Sequence, residues 1–397
     1  MQRIYLAYSR LISSVRLDYH RYLYDKVNWD NKLIAIKGPK GVGKTTMILQ
    51  HIKEAFPDST KALYASLDNM WFSAHSISEL AEYHYTHGGT HIFFDEVHKY
   101  KTWAQELKNI YDSYPNMHIV VTGSSLLQLE EAMKHDLSRR CRVYELQGLS
   151  LREYIKIEGK GDFPVVTLDD ITRSHFAICT EITSKICVLP LFEKYIKEGY
   201  YPFYNEEGDG YYDRIAQVAN TIIETDIPAV SALEYETLQK AKHLLNVLAE
   251  MVPFTLNVAS LTSSLGISRN SLLKLFDLLC QARLTHSIYT CKSGMKQLAK
   301  PDKILFDNTN LIYALASSID SGTVRETFFC NQVGHSHKLA IPEHGDCLVD
   351  DEMLFEIGGR RKSFNQIKDK TDSYVVADGI EVGMGNKIPL WLFGFLY

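Results

Sequence analysis

Residues 38–45 read Gly-Pro-Lys-Gly-Val-Gly-Lys-Thr and fill the pattern GxxxxGK[ST]. Its glycines let backbone N–H groups turn inward on a phosphate, at the positive end of a following helix. Lys44 adds a point charge for the outer phosphates of a nucleotide, and the Thr45 hydroxyl is an oxygen donor for magnesium. Residues 92–96, Ile-Phe-Phe-Asp-Glu, complement this loop. Asp95 closes an apolar run and can hold magnesium through water, while Glu96 is placed to polarise an attacking water as general base. A phosphate cradle, a metal-holding acid and an adjacent base together specify binding of ATP with magnesium and its hydrolysis. The acidic doublet separates this chemistry from that of P-loop kinases, which need no water-activating glutamate. Gly38, Pro39, Lys40, Gly41, Val42, Gly43, Lys44, Thr45 and Thr46 are expected to line the nucleotide. Lys44 and Glu96 are expected to be catalytic, and Thr45 and Asp95 to be the metal ligands.

Further polar residues stand near these motifs. Thr122 ends an apolar run and is a candidate for sensing the γ-phosphate or orienting the water. Residues 137–142, Leu-Ser-Arg-Arg-Cys-Arg, put Arg139 and Arg140 just before another apolar run. A guanidinium fork matches phosphate oxygens, so either arginine would serve from a neighbouring subunit. His98 reads as a surface residue. Arg214 is a candidate lid arginine for the γ-phosphate.

The elements that must position these groups follow from the pattern of apolar runs. Residues 32–37 form a short buried strand that leads into the glycine loop, and a helix follows to about residue 55. Strands are expected at 62–67, 91–95, 118–122 and 143–146, with helices at 77–86 and 103–111. Residues 1–30 are expected to be helical. Alternating strands and helices imply a parallel sheet covered on both faces. After residue 150 the strand runs stop, and residues 151–230 read mainly as helix with a Gly/Tyr-rich interruption at 199–212. Residues 237–290 are helical again, and strand-like runs return from 303 (KILF, CLV, MLFEI, YVV, PLWLFGFL).

These motifs resemble a family of AAA+-type ATPases of bacteria and archaea that carry a winged helix and a C-terminal nuclease-like domain of unknown function. The likeness rests on GPKGVGKTT (38–46), HIFFDEVHKYKTWAQELKNIYD (91–112), VVTGSS (120–125), DLSRRCRVYELQGLSLREY (136–154) and LFEIGGRRKSFNQI (354–367). It implies an Asp-Glu pair at 95–96, a polar sensor at Thr122 and an arginine before the fifth strand. The choice between Arg139 and Arg140 stays open, because this chain has Ser-Arg-Arg where many relatives have Gly-Arg. The expected fold is α/β: an AAA+-like parallel sheet with a helical lid, then a winged helix and a small α+β nuclease-like domain. The segments are 1–150 for the ATPase core, 151–236 for the lid, 237–300 for the winged helix and 301–397 for the nuclease-like domain.

The chain carries a net charge of −5, but residues 238–300 hold eight Lys or Arg against two acids, leaving −11 on the rest. Such a split points to different partners for different parts. In the basic segment a helix at 258–265, a Gly-Ile-Ser turn and a helix at 269–281 have helix-turn-helix spacing, with Ser268 as N-cap. Residues 284–290 would begin a wing with Lys292 and Lys296 near its tip. Arg269, Asn270 and Lys274 have the chemistry to meet base edges of duplex DNA. A protein partner is the alternative for this segment.

In the last segment, Glu326, Asp346, Glu356, Lys362 and Gln366 follow in the order of a PD-(D/E)XK nuclease core. The position two residues after Glu356 is Gly358 rather than lysine, with Lys362 as a substitute from the following turn. This domain therefore reads as a degenerate fold for binding. The seven cysteines are odd in number and form no CxxC pair, which fits reduced thiols in a cytosol. No signal-peptide pattern and no run of roughly 20 apolar residues is present, so no membrane partner is expected and the location is cytoplasmic. A homo-oligomer follows from an arginine acting in trans. The competing readings are a slow STAND-like nucleotide switch and an ATP-regulated nuclease.

Overall fold

Four nearly uniform apolar runs become the centre of one sheet. The computed structural model describes residues 1–123, 137–231, 235–250, 257–290, 300–367 and 370–397. Strands β1 (Leu33–Lys37), β2 (Ala62–Ser66), β3 (His91–Asp95), β4 (His118–Gly123) and β5 (Arg142–Glu145) lie in the order β2-β3-β4-β1-β5, and every pairing is parallel. Parallel strands buried on both faces must be apolar throughout rather than alternating. Leu33, Ile34, Ala35, Ile36, Ile92, Phe93 and Phe94 accordingly have no exposed surface. Strand β5 lies at the edge and is partly exposed.

Helices α1 (Gln2–Ser14), α2 (Lys44–Ala55), α3 (Ile77–Thr86) and α4 (Trp103–Ser113) belong to the same unit. Ser76 starts α3 by accepting a 3.0 Å hydrogen bond from the Glu79 N–H, an ordinary N-cap. The expected helix over 1–30 ends at Ser14. Beyond it the chain is held against α2 instead: Gln50 Nε2 donates to the carbonyls of Arg16 (2.9 Å) and Tyr19 (2.8 Å), and Lys53 Nζ donates to that of Val15 (2.6 Å). Carbonyls used this way are not available to a helix ladder. The strand expected at 143–146 begins one residue earlier.

The chain packs into two units: Met1–Gln147 with Thr225–Ala232, and Gly148–Glu224 with Leu233–Tyr397. In the second unit, helices α5 (Leu151–Ile157), α6 (Leu168–Lys185), α7 (Val188–Glu198) and α8 (Tyr211–Thr221) come first. Helices α9 (Tyr235–Glu250), α10 (Val258–Leu265) and α11 (Arg269–Gln281) follow, and α10 and α11 form a helix–turn–helix. Gly266 makes the turn at φ +59°, and Ser268 caps α11 by accepting from the Ser271 N–H at 3.1 Å. Strands β6 (Thr285–Ile288) and β7 (Lys303–Phe306) pair antiparallel. The expected wing tip at Lys292 and Lys296 lies outside the described residues.

Helices α12 (Thr309–Leu315) and α13 (Ser321–Val333) precede a second sheet of β8 (Leu339–Ala340), β9 (Cys347–Val349), β10 (Met353–Gly358), β11 (Ser373–Ala377) and β12 (Lys387–Pro389), in the order β12-β11-β10-β9-β8. The run PLWLFGFL is not a strand: Leu390–Phe395 is a buried 3-10 helix. A run that is apolar at every position carries no period to distinguish the two. Among the described residues no single helix is long and apolar enough to cross a membrane.

Phe93 sits mid-strand in β3 with no exposed surface. Phe93→Ala should destabilise the first unit by about 3–5 kcal/mol, the cost of a buried aromatic cavity. Urea unfolding checks this, and a loss below about 1 kcal/mol would contradict the packing described.

Candidate functional site

The glycine loop joins the end of β1 to the start of α2. A Cβ at Gly38 would meet the Leu146 carbonyl oxygen at 2.1 Å, because β5 runs directly alongside. Gly43, the N-cap of α2, is left-handed at φ +94°. The loop is braced from beneath by Arg21, which is buried, donates to the Val42 carbonyl and reaches the Gln147 carbonyl at 2.8 Å. Val42 is buried, while Gly41 and Thr46 are exposed. Lys44 is 5% exposed, and its Nζ donates to the carbonyls of Gly38 and Pro39 at 2.8 Å each. Burial pushes the Lys44 ammonium below the usual lysine range, and the charges of Glu96, Asp95 and Asp226 oppose that fall.

The acidic pair ends β3 beside this loop. Asp95 is 2% exposed and accepts from the Thr45 hydroxyl (2.7 Å), the Tyr64 hydroxyl (2.8 Å) and the Thr122 hydroxyl. Burial first, then the Asp95 charge, push the Tyr64 hydroxyl far above the usual tyrosine range, so it stays a donor. Magnesium fits this chemistry. The Thr45 and Asp95 oxygens are hard donors already within 2.7 Å of each other at the head of α2, where phosphates and water would complete the shell.

Glu96 stands in the left-handed region at φ +53°, ψ +43°, a conformation that costs of order 1 kcal/mol for such a residue and clusters at functional sites. Its N–H is held by Asp95 Oδ1 at 3.1 Å and Thr122 Oγ1 at 3.3 Å. Thr122 is fully buried and uses its hydroxyl to lock the acidic pair. Lys44, Thr45, Asp95, Glu96 and Thr122 are therefore brought together at the carboxyl ends of the parallel strands, where open α/β sheets bind ligands.

The two arginines separate. Arg140 pairs with Asp112 through two 3.2 Å contacts. Arg139 is exposed at φ +65°. His98 is not a surface residue: its side chain is 1% exposed, with Nε2 3.3 Å from Glu96 and 3.6 Å from Asp226. The polar residues it faces decide this, not its place after a strand. Sequence reasoning missed Arg21, Tyr64 and Asp226. The first two lay outside every motif, and Asp226 lies 130 positions along the chain from Glu96. Arg214 stacks over Phe203 at 4.2 Å and pairs with Glu206 at 3.3 Å. Tyr200 and Tyr201, in the segment 199–204, are buried in the second unit near Asp307 and Asn308.

In the second sheet, Glu356 has no exposed surface and meets Lys362 Nζ at 2.6 Å, with Asp346 3.9 Å from the same ammonium. A Cβ at Gly358 would strike the Lys362 side chain at 2.6 Å, so Lys362 passes through the space over Gly358. Gln366, with its amide nitrogen turned inward, donates to Glu356 at 2.9 Å. Glu326 instead pairs with Lys303 at 2.6 Å. Among the described residues no group of three or more His, Cys, Asp or Glu is placed to hold a metal ion. On the helix–turn–helix, Arg269, Asn270 and Lys274 are exposed. Lys240 pairs with Glu236 (2.6 Å) and Lys242 pairs with Glu224, both acids outside the basic segment. The segment's count of positive charge therefore overstates what it offers a partner.

Gly38→Ala should abolish nucleotide binding, because the added carbon cannot fit against the Leu146 backbone without displacing the loop. Titration with a fluorescent ATP analogue, beside a thermal melt, tests this. Wild-type affinity in the variant would contradict the close approach.

Comparison with known proteins agrees with this geometry. A family model described as an AAA domain matches residues 30–155, and one described as a domain of unknown function (DUF8612) matches residues 189–321. The chain is similar to an uncharacterised protein of Methanocaldococcus jannaschii, at 28% identity over 391 residues, covering 90% of this chain and 81% of the relative. Among solved structures, AMPPCP-bound DnaA from Aquifex aeolicus matches at 11% identity and a TM-score of 0.27, covering 68% of this chain and 85% of that one. A katanin structure matches at 16% identity and a TM-score of 0.26, covering 47% of this chain and 66% of that one. Likenesses at these scores carry no argument. The family match and the site geometry together support a P-loop ATPase domain of the AAA type over residues 30–155.

Proposed function

We propose that this chain binds ATP with magnesium at residues 38–46 and hydrolyses it, and that its nucleotide state controls how the rest of the chain engages DNA or a protein partner. The observation that carries this reading is the meeting of Lys44, Thr45, Asp95 and Glu96 at one end of the parallel sheet, with hydroxyl donors to Asp95 from three different elements. The loop N–H groups and the start of α2 would hold the phosphates. Lys44 would turn from its own loop carbonyls to the outer phosphates. Magnesium, when bound through Thr45 and Asp95, supplies positive charge against the charge that develops on the phosphate. Glu96 takes a proton from the attacking water as the new phosphorus–oxygen bond forms and ADP leaves with the old one. Thr122 holds the backbone of Glu96 while this happens.

The helix–turn–helix with its antiparallel strand pair supports a winged helix over residues 237–300, its second strand running on to Phe306, and residues 301–397 follow as a domain for binding. The exposed Arg269, Asn270 and Lys274 suit a DNA groove, and a protein surface is the other partner class. Arg139, exposed and outside any ion pair among the described residues, is the arginine to act on a neighbouring subunit's phosphate, so the working form is a homo-oligomer. The described cysteines are free, in keeping with the cytoplasm as the place of action.

Steady-state turnover with magnesium and ATP tests the reading. Glu96→Gln should bind ATP as wild type does and turn it over about 10²–10⁴-fold more slowly, the usual worth of a general base. Unchanged turnover in this variant would remove Glu96 from the chemistry. Stimulation of wild type by duplex DNA would select DNA over a protein partner. Arg139→Ala should lower turnover by about 10³-fold or more and abolish its dependence on protein concentration. Arg140→Ala should cost less than about 1 kcal/mol in stability, the worth of a surface ion pair. Equal kinetic losses in the two variants would overturn the choice between them.

A further inference from the structure

We propose that His98 and Asp226 are positioning residues that set where the Glu96 carboxylate stands, an inference that rests on Glu96 being the base. The backbone of Glu96 is fixed by Asp95 and Thr122, but neither restrains its side chain. That restraint comes from His98, in the 3-10 turn Val97–Lys99, whose Nε2 lies 3.3 Å from Glu96 Oε2. The same nitrogen lies 3.6 Å from Asp226 Oδ1. A single imidazole edge therefore stands between two carboxylates, inside protein, with a side chain that is 1% exposed.

Asp226 reaches this place through an unusual piece of backbone. It ends a π-helical turn, Ile222–Asp226, and turns of this kind are rare and recur at functional sites. The Asp226 carboxylate is fixed in turn by the Thr225 hydroxyl at 2.8 Å and by Lys99 Nζ at 3.4 Å. Burial by itself would raise its pKa, yet the hydrogen bond and charge of His98, the Thr225 hydroxyl and the Lys40 charge together hold it well below the usual carboxylate range. Asp226 is thus a fixed buried anion facing His98 from a remote stretch of chain. Its charge fixes where the imidazole stands, and the same Nε2 edge, shared between the two carboxylates, holds Glu96 in place. Lys99 and Lys40 face Asp226 as well, and Lys44 feels Glu96 first, then Asp95 and Asp226. His98 acts on Glu96 through its imidazole edge, so its loss should appear in kcat and not in ATP affinity.

The test is a set of variants of the full chain, assayed for kcat and KM with magnesium and ATP. Melting curves and fluorescent-ATP titrations establish folding and binding for each. His98→Leu removes the N–H and should lower kcat by at least tenfold while KM stays within about twofold, in line with the large rate cost of small misplacements. His98→Gln keeps an N–H donor at similar reach and should recover most of that loss. Asp226→Asn keeps the shape, removes the charge that pins the imidazole, and should lower kcat. It also serves if His98→Leu does not fold. Wild-type kcat in both His98→Leu and Asp226→Asn would overturn the proposal, as would equal losses in the Leu and Gln variants. Glu96→Gln run alongside separates the two levels: if it turns over like wild type, the base assignment fails first, and with it the tether.

Discussion

A buried carboxylate costs several kcal/mol unless its oxygens are satisfied, and much of the first unit is arranged around satisfying one. Asp95 takes hydroxyl hydrogen bonds from α2 (Thr45), β2 (Tyr64) and β4 (Thr122). These donors can converge only if β2, β3 and β4 lie side by side in the observed register, with Ser66 opposite Asp95 and Phe94 opposite Val121. A slip by one residue would turn every side chain of a strand to the other face. The helix must also start where it does, since Thr45 is in its first turn. The same contacts that keep the acid tolerable in the core therefore place it beside the phosphate loop, and stability and chemistry impose one geometry.

A second constraint concerns charge pairing. Lys242 meets Glu224, Lys303 meets Glu326, and Lys362 meets the fully buried Glu356. Each pair cancels a charge that composition counts as available. For Glu356 the cancellation is nearly complete, because Lys362 and Gln366 occupy its oxygens. Glycine at position 358 leaves the space through which Lys362 reaches Glu356.

The parts of the site that follow one another along the chain were legible in the sequence. The glycine loop, the Asp-Glu doublet, Thr122 and the Ser268 cap each depend on spacings of a few residues, and local backbone geometry translates such spacings directly. The parallel strands were legible because strands buried on both faces must be apolar throughout. The expected long N-terminal helix failed because Gln50 and Lys53 take the carbonyls of Val15, Arg16 and Tyr19, and the C-terminal tail failed because a wholly apolar run has no period to read.

By itself the sequence determined the glycine loop, the Asp95–Glu96 pair and the class of sheet that carries them, since each is encoded in residue types at short separations. Only the tertiary structure decided that Tyr64 and Arg21 support the site, that His98 is buried between two carboxylates, that Asp226 returns to it, and that Arg140 but not Arg139 is paired. These are meetings between distant stretches of chain. They are settled by which buried charges and carbonyls find partners when the chain is packed, a sum over the whole unit that no local pattern contains.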